Sequence, residues 1–226
     1  YLNKLSEEAV APGALATAST KELQVLGEAY TLYQTLLDQY NYIDFSTIQV
    51  EILRLLDLPE VSDQLCSRYD YLMIDEYQDT NTIQERIVLK LASGHSNLCV
   101  VGDDDQSLYR FRGASIRNIL EFPDRFAPGK CRQIYLTKNY RSHPDIVDFY
   151  NQWMGLADWQ GPERSYRFPK VIEAAGNDRA ARPVVFKVSG EDGEANWASE
   201  TVAFLTKLRG DGIIKDWNQV AFLFRS

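Results

Sequence analysis

The chain has 226 residues, 45% of them hydrophobic, with 24 Lys and Arg against 32 Asp and Glu. That length and apolar content can fill a core for one large domain or two smaller ones. A net charge of -8 and an isoelectric point near 4.9 argue against a polybasic nucleic-acid clamp and against electrostatic docking on anionic membranes, although a local groove can be basic on an acidic protein.

In "KELQVLGEAYTLYQTLLDQY", Leu23, Leu26, Tyr30, Tyr33 and Leu37 recur at spacings of three and four, which predicts an amphipathic helix. A second helix follows in "FSTIQVEILRLLDL", with Ser46 or Thr47 as N-cap and Pro59 as the stop. The middle alternates short apolar runs with helical segments. The runs are Tyr71 to Ile74, Leu98 to Val101 and Ile134 to Leu136, and the helices lie near Thr82 to Ala92 and Ser115 to Glu121. Strand, helix, strand, helix, strand implies an α/β fold with a parallel sheet and right-handed crossovers. Thr82 with Glu85 reads as a capping box. After Leu136, "NYRSHPDIVDFYNQW" opens a helix with Ser142 as N-cap and Pro144 in its first turn. A polar stretch from Ala174 to Arg182 reads as a loop. "PVVFKV", a helix from about Asn196 to Leu208 and "QVAFLF" then repeat strand, helix, strand, so a second α/β unit is expected to start near residue 137.

Chemistry in open parallel sheets collects at the carboxyl ends of strands. Asp75 and Glu76 sit at such an end, after Leu72, Met73 and Ile74. There, one acid can coordinate Mg²⁺ on a nucleotide while its neighbour deprotonates an attacking water. Taken alone, the pair reads rather as a strand terminus leading into the next helix, which Asp79 is expected to start. "LCVVGDDDQSLYRFRGA" repeats the arrangement, with Gly102, then Asp103, Asp104 and Asp105, then Gln106. Two neighbouring strands ending in acids and amides make a polar crevice that structure alone does not require. Tyr109, Arg110, Phe111 and Arg112 follow, aromatics interleaved with cations. Such a stripe suits single-stranded nucleic acid, because bases stack on aromatic faces while arginines meet phosphates. The same residues also read as core aromatics on a strand edge.

These strings together resemble the UvrD/Rep-type superfamily 1 DNA helicases. "IDEYQDTN" looks like their motif II, "VGDDDQSLYRFRGA" their motif III, "LTKNYRS" their motif IV and the terminal "VAFLFRS" their motif IVa. "YNYIDFSTI" resembles the stretch that precedes motif II in that family, and the matches run in family order over about residues 40 to 226. The resemblance implies RecA-like P-loop NTPase domains, partial here, with a helical insertion. It makes Asp75 the Mg²⁺ ligand, Glu76 the water-activating base and Gln106 the γ-phosphate sensor that reports to the DNA groove. Tyr109 and Phe111 would stack on bases of single-stranded DNA, with Arg112 supporting their loop. Tyr140 would stack on adenine, and Arg141 would serve as the arginine finger, a planar and permanently charged fork suited to transferring phosphoryl oxygens. The implied ligands are ATP with Mg²⁺, and the implied partners are single-stranded DNA and single/double-strand junctions. In the family, two RecA-like domains clasp ATP, and their closure drives 3′-to-5′ translocation and unwinding, in pathways such as repair or recombination.

One family element is missing. No G-x-x-x-x-G-K-[ST] occurs, and Gly129-Lys130, the sole Gly-Lys pair, is followed by Cys131. Without that loop these residues have no phosphate cradle, so they are expected to be inactive alone. Together with a start at Tyr1 rather than Met, this reads as the middle of a helicase. Residues 1–45 would end the helical insertion, 46–136 complete the first RecA-like domain and 137–226 begin the second. Two rivals are a binding module that kept the scaffold but lost its ATPase, and the helicase part of a RecB-like helicase-nuclease. Cys66, Cys99 and Cys131 form no Cys-x-x-Cys pair, and with only His95 and His143 beside them they give no zinc site and fit a reducing compartment. No apolar run approaches the ~18 residues of a membrane span, and "YLNKLSEEAV" lacks a signal pattern, so a cytoplasmic location is expected.

Overall fold

Four helices precede the first strand in the computed structural model, which describes residues 2–176 and 194–223. They are α1 (Leu2–Glu7), α2 (Lys21–Tyr40), α3 (Phe45–Leu55) and α4 (Pro59–Cys66). Thr20 caps α2, and Asn41 closes it in a left-handed conformation whose N–H returns to the last carbonyls. Tyr30 is the most buried member of the predicted α2 stripe, and its hydroxyl lies 3.1 Å from Ser6 Oγ on α1. Neither Ser46 nor Thr47 caps α3. Asp44 does, with Oδ1 accepting the Thr47 N–H at 2.6 Å, because both hydroxyl residues are turned inward and Ser46 donates to Glu7 instead. Pro59 stops that run and also opens α4 at its first turn.

The chain then forms β1 (Leu72–Ile74), α5 (Thr82–Leu91) and β2 (Leu98–Val100). β1 and β2 run parallel, with Leu72 opposite Leu98 and Ile74 opposite Val100. The capping box of α5 sits one residue earlier than Thr82 and Glu85 suggest. Asn81 accepts from the Gln84 N–H at 2.8 Å, and the Gln84 side chain accepts the Asn81 N–H at 3.0 Å. Glu85 is instead buried, in a two-pronged pair with Arg125 at 3.1 Å for both contacts. Asp79 does not start α5 either, since it lies in the 3₁₀ turn Tyr77–Asp79.

By internal contacts the chain divides into two units, Tyr1–Thr137 with Met154–Val171, and Lys138–Trp153 with Ile172–Ser226. In the first, α6 (Ile116–Leu120) and the turn Phe122–Arg125 close over the ends of β1 and β2. No strand forms over Ile134 to Leu136, whose side chains are exposed. The second unit holds β3 (Lys138–Asn139), α7 (Pro144–Met154), β4 (Glu173–Ala174), parallel to β3, and α8 (Glu194–Gly210). His143 rather than Ser142 heads α7, its Nδ1 accepting the Asp145 N–H at 3.1 Å, because Ser142 is drawn back by Asn139. The expected strand at 183–188 lies outside the described residues, as does the end of the one at 219–224. Of the latter, Val220–Leu223 forms no strand.

The core of the first unit gathers on Tyr77, Ile119 and Phe122, with Ile74, Val100 and Phe168 packed against them. Tyr77 meets Phe122 edge to face at 5.3 Å and is fully buried, yet its hydroxyl finds no hydrogen-bond partner among the described residues. Burial and the nearby Glu85 charge both push that hydroxyl's pKa up. An unpartnered buried hydroxyl costs ~1–3 kcal/mol. Tyr77→Phe is therefore expected to raise stability by about 1 kcal/mol in urea unfolding, and a loss of stability would disprove this account.

Candidate nucleotide and nucleic-acid site

The two acidic strand ends lie side by side. β1 delivers Asp75 and Glu76, and β2 delivers Gly102 and Asp103; the ladder continues past both, with Tyr77 N–H donating to Val101 O at 2.9 Å. Glu76 adopts the left-handed conformation, φ 50 and ψ 43. For a residue with a Cβ this costs ~1–2 kcal/mol. The reversal leaves Asp75 and Glu76 exposed and turns Tyr77 and Gln78 inward. A carboxylate thus occupies a backbone position that favours glycine, a form of strain that concentrates at working sites.

Gln78 is the residue that sequence reasoning missed. It is 1% exposed, donates from Nε2 to Glu76 Oε2 at 2.7 Å, and accepts the Asp103 N–H on Oε1 at 3.0 Å. Asp103 Oδ2 in turn accepts from Gln106 Nε2 at 2.8 Å. Glu76, Gln78, Asp103 and Gln106 therefore form one hydrogen-bonded run across the two strand ends. Gly102 makes room for it, since a Cβ there would stand 2.5 Å from Gln78 Oε1. The only signal in the sequence was the single amide inside "DEYQD".

Asp103 to Asp105 bring carboxylate oxygens within 4.8 Å of one another, a grouping that can hold a cation. The protein supplies its own. Lys170 Nζ lies 2.6 Å from Asp103, 2.5 Å from Asp104 and 3.1 Å from Asp105, while Arg167 grips Asp105 at 2.8 and 3.0 Å. Burial works against the charge on Lys170, but its bonds to Asp103 and Asp104 outweigh that and hold its pKa above the ordinary lysine value. Burial likewise pushes the Asp103 carboxyl up, and its bonds from Lys170 and Gln106 outweigh that and hold it below the usual carboxylate range. This trio is therefore a poor Mg²⁺ site. Asp75 fits the ion better, as an exposed carboxylate of the hard-oxygen kind that serves Mg²⁺ when phosphates and waters complete the shell.

Beyond Gln106 the chain makes a short 3₁₀ helix, Tyr109–Arg112, ended by Gly113 at φ 89. Tyr109 and Phe111 are 43% and 66% exposed, so they are not the core aromatics of the alternative reading. Their rings stand 6.0 Å apart, and the Arg112 guanidinium lies over both, 5.3 and 5.6 Å from the centroids. In the second unit, Asn139 Oδ1 accepts the N–H groups of Arg141 and Ser142 at 2.9 and 2.7 Å. That turn presents Tyr140, 81% exposed, and Arg141 on the surface, with Lys138 Nζ 5.8 Å from the Tyr140 ring.

Comparison with known proteins agrees with these motifs. The family described as UvrD/REP helicase N-terminal domain matches residues 1–127. The chain is 37% identical over 227 aligned residues to the ATP-dependent DNA helicase PcrA of Staphylococcus aureus, covering 100% of this chain and 29% of that protein. It is 32% identical over 204 residues to PcrA of Staphylococcus epidermidis, covering 90% of this chain and 26% of that protein. The chain thus spans less than a third of the length of either relative. Among the described residues no helix is long and apolar enough to cross a membrane.

Proposed function

Because the chain belongs to the UvrD/Rep helicase family, we propose that it contributes half of an ATPase site and part of a single-strand DNA track to a cytoplasmic ATP-dependent DNA helicase. The observation that carries this reading is the pairing of two acidic strand ends with an exposed aromatic and arginine turn immediately after the second. Asp75 would hold Mg²⁺, which would neutralise charge on the nucleotide's phosphate oxygens. Glu76 accepts a proton from the attacking water. Gln106 lies between the acids and Tyr109, a placement suited to reading the γ-phosphate and passing its state to the DNA contacts. Tyr140 offers a face for adenine, and Arg141 a guanidinium for charge on the transferring phosphoryl group. We assign residues 1–45 to the end of a helical insertion, 46–136 to the first RecA-like domain and 137–226 to the second, of which residues 154–171 pack within the first unit.

Hydrolysis needs a phosphate-binding loop that these 226 residues do not contain, so they turn over no ATP by themselves. Movement from 3′ to 5′ along single-stranded DNA, action at single/double-strand junctions and a role in repair or recombination extend the same family reading.

The DNA track is tested by Tyr109→Ala and Phe111→Ala in the full-length protein. Each lost stacking face is expected to weaken single-stranded DNA binding by ~1–3 kcal/mol, or about 5- to 150-fold. Anisotropy of a labelled oligonucleotide reads this directly. Affinity within twofold of wild type in the double variant would remove the turn from the track.

A further inference from the structure

Nothing in the roles above requires Gln78, yet it is the most deeply placed polar side chain at the site. Its carboxamide spends its donor on Glu76 Oε2 at 2.7 Å and its acceptor on the Asp103 N–H at 3.0 Å. A buried amide with both ends committed has one permitted orientation, because flipping it would set oxygen against carboxylate and N–H against N–H. The Tyr77–Asp79 turn and close packing on Gly102 fix the side chain from behind. Glu76, by contrast, is exposed and lies on a left-handed residue, so its backbone does not by itself decide where the carboxylate points.

We propose that Gln78 is a positioning residue that aims the Glu76 carboxylate at the attacking water and ties it to the end of β2. The proposal rests on Glu76 being the base. A base works only within hydrogen-bond reach of the proton it takes, and a displacement of about 1 Å can cost on the order of 100-fold in rate. Gln78 touches neither nucleotide nor water in this role. Its other bond goes to the Asp103 N–H and not to the carboxylate oxygen that Gln106 holds, so its loss should appear in turnover and not in nucleotide affinity.

The test uses the full-length protein and single-turnover ATP hydrolysis with saturating single-stranded DNA. Gln78→Met, of similar length, with no donor and only a weak thioether acceptor, is expected to lower the hydrolysis rate ~10- to 100-fold while the ATP concentration at half-saturation moves less than about threefold. Gln78→Glu guards against a folding defect, since it is isosteric and still accepts the Asp103 N–H. It meets Glu76 as a second acid, and whether it repels Glu76 or shares a proton with it, the base is no longer free, so it too is expected to lose turnover. In a Glu76→Gln background, Gln78→Met should take almost nothing further from the residual rate, whereas a merely structural role would multiply the two losses. Wild-type turnover in Gln78→Glu, or multiplied losses in the double variant, would overturn the proposal. Wild-type turnover in Glu76→Gln alone would instead overturn the assignment of the base.

Discussion

Glu76→Gln in the full-length protein is expected to lower ATP hydrolysis by about 10²- to 10⁴-fold, the usual contribution of a positioned general base. The substitution is close to isosteric, and its amide oxygen can still accept from Gln78 Nε2, so the buried run through Gln78 and Asp103 stays closed. The left-handed backbone at this position is no harder for Gln than for Glu. Nucleotide affinity should therefore hold while turnover collapses. Equilibrium binding of a fluorescent ATP analogue beside a single-turnover hydrolysis assay separates the two. Hydrolysis within about threefold of wild type would mean that another group takes the proton.

Lys170→Met should have the largest effect on stability. Three carboxylates share this ammonium, and the side chains of Asp104 and Asp105 are only 3% and 5% exposed, against 38% for Asp103. Removing one partner of a buried ion pair typically costs ~3–5 kcal/mol, because the other charge is left without compensation. The share of Asp103 is screened by solvent, and Arg167 still holds Asp105. A loss of about 3 kcal/mol at neutral pH is the resulting expectation.

The pH dependence has a definite sign. Asp103 has its pKa held down in the folded state, so its contribution is present above the ordinary carboxylate range and is lost as pH falls through the folded value. Lys170 has its pKa held up, so its contribution is complete below the ordinary lysine value and is lost as pH rises through the folded value. The gap between wild type and Lys170→Met should thus narrow in acid, as Asp103 gains its proton and no longer needs the cation. Urea unfolding at neutral pH and at a pH below the ordinary carboxylate range measures it. A cost under about 1 kcal/mol at neutral pH, or a gap that does not change with pH, would show that the trio does not depend on Lys170.

The features legible before folding are local. Apolar runs ending in acids at Ile74 and Val101 and the helix between them follow from patterns spanning a dozen residues or fewer, where periodicity and turn chemistry dominate; whether Tyr109 and Phe111 face solvent or the core was left open by the same patterns and was settled by the fold. The motif strings also identified the family that the comparisons show. Helix caps were less legible. Asp44, Asn81 and His143 each took a place that a neighbouring hydroxyl residue also suits, because burial and competing hydrogen bonds, rather than residue type, decided which side chain was free.

How the acids are used depends on partners distant in the chain. Lys170 and Arg167 reach Asp103 to Asp105 across separations of 62 to 67 residues, and no spacing rule connects a cation in "RFPK" to "GDDDQ". Gln78 was visible as a letter and not as a bridge, since its meaning depends on which backbone N–H the parallel register of β1 and β2 sets beside it. A motif states which groups are present, but the charge state and aim of each group are set by partners that only the folded chain brings within 3 Å of it.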